Sequence, residues 1–106
     1  MTINFVRGDY HQIRFKFKSY SGSIDAMYLT VKCEQKIPRI RKKLGDGIEL
    51  VDGWYVVTFE PKDTNEISCS LNLMYDIEIF VGDKPFTIMK DQFLLEEDIT
   101  TPKEEV

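Results

Sequence analysis

YVVTFEPKDTNEI, residues 55–67, decides how the chain is read. Its first half alternates. Tyr55, Val57 and Phe59 share one face and Val56, Thr58 and Glu60 the other, the period-two pattern of a half-buried strand. The pattern stops at Pro61, which has no backbone N–H to offer a neighbouring strand. Lys62-Asp63-Thr64-Asn65-Glu66 then has room for one helical turn, and Asp63 and Thr64 carry short polar side chains that bond nearby backbone donors. A strand, a proline stop and a single turn make a corner at which the chain crosses from one layer of strands to another. Tyr75 follows on the next alternating run, and a tyrosine whose hydroxyl reaches back to the corner is a known device of β-sandwiches. Pro61, Asp63, Thr64 and Tyr75 are therefore expected to form a structural corner, not a catalytic group.

The same period runs outward in both directions. Upstream, Ile13, Phe15 and Phe17 alternate with Arg14, Lys16 and Lys18, and Met27, Leu29, Val31 and Cys33 alternate with Tyr28, Thr30, Lys32 and Glu34. Residues 19–25 between them are turn-rich, with Gly22 at the expected tip. In KIPRIRKKL, residues 36–44, Ile37, Ile40 and Leu44 fit a turn and a half of helix, but Arg39 to Leu44 reads as a strand at or near a sheet edge, because proline and dense charge protect edges. Gly45-Asp46-Gly47 is a turn, and Asp52-Gly53 is a hairpin dipeptide. Downstream, Leu71, Leu73, Tyr75, Ile77, Ile79 and Val81 are inward candidates, then a hairpin connection at Gly82-Asp83-Lys84-Pro85. Phe86, Ile88, Phe93 and Leu95 follow on the last strand. The spacing from Ile88 to Phe93 requires a bulge near Lys90-Asp91 to keep both inside. About seven short strands without a long helical period predict an all-β, antiparallel, immunoglobulin-like sandwich, with one helical turn at Pro61–Thr64. Residues 1–100 form one domain and residues 101–106 a polar tail.

The totals agree. A chain of 106 residues that is 42% hydrophobic and 12% aromatic can bury a core and is too short for two. A net charge of −4 gives no long-range attraction to nucleic acid or an anionic membrane. No apolar run approaches the ~20 residues of a membrane helix, and MTINFVRGDYHQ lacks the basic start and apolar middle of a secretory signal. A cytosolic start argues that Cys33 and Cys69 remain thiols. With one histidine, His11, and no CxxC pair, no zinc site is expected.

In order and spacing, VRGDYHQIRFKF (6–17), KKLGDGIE (42–49), GWYVVTFEPKDT (53–64), MYDIEIFVGD (74–83) and TIMKDQFLLEEDIT (87–100) resemble the N-terminal domain family of phage baseplate upper proteins, from tailed phages and prophages of Gram-positive bacteria. Where the family's closing strand often carries a glycine after the lysine, this chain has Asp91. The resemblance implies an immunoglobulin-like sandwich without catalytic residues or cofactor. It implies a virion part assembled in the bacterial cytoplasm and joined to other tail or baseplate proteins or to copies of itself.

Arg7-Gly8-Asp9 spells an adhesion tripeptide, but between two strands it is a turn. Asp46, Glu49 and Asp52 lack calcium-loop spacing and read as solvated turns. His11 beside Asp9 and a serine has no nucleophile elbow to complete a triad. Arg39, Arg41, Lys42, Lys43 and Trp54 are the candidate interface residues. The alternative function is a carbohydrate- or host-surface-binding sandwich with Trp54, Tyr55, Tyr28 or Tyr20 as stacking faces, which needs two aromatics co-planar on one exposed face.

Overall fold

A computed structural model describes residues 1–16, 24–34, 37–68 and 71–97. Phe17, Lys18, Tyr20, Gly22, Lys36, Cys69 and the 101–106 tail lie outside the described residues, and the question of a Cys33–Cys69 bridge lies outside them too.

The described residues are all-β with one helical turn. The elements are β1 (Ile3–Val6), β2 (His11–Phe15), β3 (Ala26–Cys33), β4 (Pro38–Leu44), β5 (Gly47–Val51), β6 (Trp54–Phe59), α1 (Pro61–Thr64), β7 (Leu73–Val81) and β8 (Lys84–Glu96). They form one eight-stranded, nearly barrel-shaped sheet in the order β1-β8-β7-β3-β4-β5-β6-β2.

Alternation places the core as expected. Met27, Leu29 and Val31 of β3, Val57 and Phe59 of β6, and Ile77 and Ile79 of β7 are fully buried, with Tyr75 and Phe93 nearly so. The two ends of the sheet meet through aromatic rings. Phe5 of β1 lies 5.4 Å from Phe59 of β6 and 5.6 Å from Phe93 of β8, and Phe59 is 5.6 Å from Phe93. Tilted and edge-on rings at these separations are favourable packing, and they curl the sheet so that its first and last strands share a core. Asp52 and Gly53 take φ of 50° and 82°, as a two-residue hairpin requires, and Val51 pairs with Trp54 across it.

Four expectations need correction. There are eight strands, and two of the pairings are parallel: β1 with β8 and β4 with β5. Period-two patterning reports faces, not strand direction, so it could not distinguish these. Second, β4 is inside the sheet order and not at its edge. It holds β5 only through Lys43↔Gly47 and Leu44↔Ile48, however, so Pro38 stands at the strand start, where a missing donor is tolerated. Third, the β8 bulge exists but lies earlier than Lys90-Asp91. Glu78 pairs with Thr87 and Ile77 with Met89, which leaves Ile88 as the extra residue. The shift sets Met89, Asp91 and Phe93 opposite the inward Ile77, Tyr75 and Leu73, while Ile88, partly buried, also packs against the core. Fourth, the Tyr75 hydroxyl does not return to the corner. Tyr75 lies opposite Asp91 on β8, the strand between β7 and β1, and its hydroxyl donates to the carbonyl of Met1.

Candidate functional site

The corner is built from four chain segments. Asp63 accepts from the backbone N–H of Glu60 at 2.7 Å and from the Lys42 ammonium at 2.7 Å, while the Asp63 N–H donates to the Glu60 carbonyl at 2.9 Å. Pro61 is the first helical residue, where the absent N–H costs nothing. Thr64 is fully buried, and its Oγ1 accepts from Gly8 N–H at 2.8 Å. The Arg7-Gly8-Asp9 turn is thereby docked on the corner. Gly8 has φ of 83°, Asp9 N–H closes the turn on the Val6 carbonyl at 3.1 Å, and Arg7 donates to the Ile67 carbonyl at 3.4 Å. The tripeptide is thus a turn whose arginine is tied to its own chain.

Lys42 separates from the other basic residues. It pairs with Leu29, an inward residue of β3, so its side chain points to the inner side between Ile40 and Leu44. Its ammonium meets Asp63 with only 12% and 16% of the two side chains exposed. Strand parity was the available signal, since Ile40 and Leu44 mark the inner face of the same run. Gly47 completes the arrangement. It sits at φ +97°, and a Cβ there would lie 2.5 Å from Lys42 Cδ. Gly47→Ala is expected to lower unfolding free energy by about 1–3 kcal/mol through backbone strain and displacement of Lys42. Chemical denaturation measures this, and a loss under ~0.5 kcal/mol would remove Gly47 from the account.

Arg41 and Lys43 remain together on the outer face, while Arg39, the extra residue at the β3–β4 register shift, donates to the sulfur of buried Cys33 at 3.9 Å. Each is exposed on β4, and the Arg41 guanidinium lies 4.9 Å over the Tyr28 ring. Beside β4 run β3, with Tyr28 and Thr30 outward, and β7, with Asp76 and Glu78 outward. Shallow depressions cross this face between Thr30, Lys32, Arg41, Asp76 and Glu78. Trp54 lies elsewhere, on β6, with Arg14 of β2 and Lys16, the residue just past its end, at 5.0 and 4.5 Å from its ring. The structure thus does not join Trp54 to the basic stripe of β4.

The aromatic platform of the sugar-binding alternative is not formed by the described residues. Trp54 and Tyr55 are strand neighbours on opposite faces. Tyr55 stacks on Phe15 at 5.6 Å, and Tyr28 carries Arg41. No helix among the described residues is long and apolar enough to cross a membrane.

Two titratable groups with shifted affinities bind the chain start. Asp91 is held below its ordinary value chiefly by a hydrogen bond from the Met1 amine at 2.9 Å, then by the Gln92 N–H. The Tyr75 phenol is pushed up from 10.0 to about 12, first by burial and then by the Asp91 charge. The folded chain therefore holds the phenolic proton more tightly than the unfolded chain. That contribution is complete below pH 10 and is lost as pH rises through about 12. Denaturation midpoints measured across this window should fall with pH in the parent and fall less in Tyr75→Phe. Identical slopes would exclude the phenol as the source.

Comparison of the chain with family models, curated proteins and solved structures gave no match.

Proposed function

We propose that this domain is a non-enzymatic assembly module of a phage or prophage tail or baseplate, acting through protein–protein contacts with other tail proteins or with itself. In this reading the curled sheet is an immunoglobulin-like sandwich. Its layers are β1-β8-β7-β3-β4 and β5-β6-β2, folded over at the two-pair β4–β5 link.

The observation that carries the reading is where the motifs of the resemblance go. The opening R-G-D, the K-K-L-G-D-G-I-E run and the P-x-D-T corner are far apart in sequence. They meet through Gly8–Thr64, Lys42–Asp63 and the close approach of Gly47 to Lys42. Tyr75 of Y-D-I and Asp91 of the closing strand together hold Met1. These residue types at this spacing serve to fix one sheet shape, as a module used for its surface needs. Asp91, where the family often has glycine, acquires its own role in gripping the Met1 amine and, at 3.4 Å, the Thr2 hydroxyl.

The test is mass spectrometry of purified phage or prophage particles from a host that encodes this chain. The chain should be present in fixed ratio to the tail proteins. Its absence from particles, with the protein abundant in the same lysate, would overturn the reading.

A further inference from the structure

The outer face of β4-β3-β7 carries its charges in stripes. β4 contributes Arg41 and Lys43, β7 contributes Asp76 and Glu78, and β3 between them contributes Thr30 and Tyr28. The ladder aligns these groups in rows. Tyr28 pairs with both Lys43 and Glu78, and Thr30 pairs with both Arg41 and Asp76. Each row therefore reads base, neutral residue, acid. Among the described residues the ion pairs are Met1–Asp91 and Lys42–Asp63, and none of these four charged groups is in one.

We infer that this face binds the same face of a second copy, about a two-fold axis running along β3. Such an axis exchanges the two sides of the face and preserves position along the strand. Lys43 then meets Glu78 of the other copy, and Arg41 meets Asp76, in both directions, giving four interchain pairs from two rows. An axis across the strands would instead set base against base. Closed two-fold contacts are the commonest form of self-association, and they require this kind of self-complementary patch.

The centre and the rim also fit. Tyr28 and Thr30 lie on the axis, and tyrosine and arginine are enriched in interface centres. Lys32 and Lys90 stand around the four balanced charges, at a perimeter that water screens. Sheets packed face to face cross at about 30° because of their twist, which lets the like-charged Lys32 residues diverge at one end. Three strands ~4.8 Å apart and about eight residues long give a face of roughly 400 Å². Two such faces bury about 800 Å², less than a standard specific contact, so the dimer is weak and reversible and rests on its four charge pairs.

This inference deepens the assembly reading by naming one partner and surface, and it stands or falls separately. Two double variants test it by sedimentation velocity over a concentration series. Arg41→Glu with Lys43→Glu makes the face acidic, and Asp76→Arg with Glu78→Arg makes it basic. The parent should dimerise, more weakly as salt rises. Each variant alone should self-associate at least tenfold more weakly, and an equimolar mixture should recover the dimer. Circular dichroism checks folding of both. If either variant fails to fold, Thr30→Cys treated with a short bis-maleimide replaces it. A covalent dimer above the unmodified-chain background supports the axis, and none overturns it. A parent that stays monomeric at millimolar concentration, variants that dimerise like the parent, or a mixture that does not recover overturns the inference. A strict monomer found in particles would leave the assembly reading intact, and a dimer absent from particles would do the reverse.

Discussion

Phe59→Ala should cost about 3–5 kcal/mol of unfolding free energy, the range for truncating a buried aromatic side chain. Phe59 has no exposed surface and touches the core from β6, yet its ring partners are Phe5 of β1 and Phe93 of β8. Its removal takes away the shared wall between the two ends of the sheet, and the cavity is bounded by strands whose backbone ladders resist collapse. A domain of this size has about 5–15 kcal/mol in total, so much of its stability is at stake. The melting temperature should fall on the order of 15 °C, at several degrees per kcal/mol. Phe59→Leu keeps most of the volume and should cost less than half as much. Denaturant titration of both variants decides it. A loss below ~1.5 kcal/mol for Phe59→Ala would mean that the ends of the sheet do not depend on that ring.

The second large effect is expected at Asp63. Asp63→Ala removes the acceptor for the Glu60 N–H and leaves the Lys42 ammonium without its partner on the inner side of β4. Loss of one member of a well-buried charge pair costs several kcal/mol, mainly because the survivor remains desolvated. With 12% and 16% of the side chains exposed, some relief by water is available, and about 3 kcal/mol is expected. Lys42→Met keeps the aliphatic stem and leaves Asp63 its backbone donor, so it should cost only about 1 kcal/mol. The double variant should be more stable than Asp63→Ala alone. A coupling energy of 1 kcal/mol or more would establish the pair, whereas losses additive to within ~0.5 kcal/mol would show that the two ends act independently.

The two sites show which parts of the fold were legible in the sequence. Phe59 was recognisable as core because strand alternation maps directly onto inside and outside, and the same rule placed Met27 through Cys33 and Tyr75 through Ile79. The corner was legible because Pro61, Asp63 and Thr64 each have one dominant local use. What alternation does not encode is which strands become neighbours and in which direction. That is why β4 was expected at an edge and why the parallel β1–β8 and β4–β5 pairings were missed. The bulge was required by the pattern, but its place was set by the pairing with β7, at Ile88. Lys42 shows the remaining limit. A run of basic residues looks like one surface feature, and only the pairing with Leu29 divides it, sending Lys42 inward while Arg41 and Lys43 stay out. Tyr75 was correctly expected to be buried, but its partner lies at the chain start, a contact 74 residues away that no local pattern reports.

The parallel ladder of β1 on β8 has a consequence for how the protein is made. Ile3 pairs with Phe93 and Val6 with Glu96. A ribosome adding about 5–20 residues per second therefore completes the first strand's partner on the order of ten seconds after making the strand itself. Until then Ile3 and Phe5 have no ladder to join, and Phe59 has only one of its two ring partners. The sheet's β1 edge is closed by strands some ninety residues apart, so β1 can dock only after β8 has been made. A cell making this chain holds, for those seconds, an apolar strand in need of shelter, and slowing translation prolongs that exposure without advancing the fold.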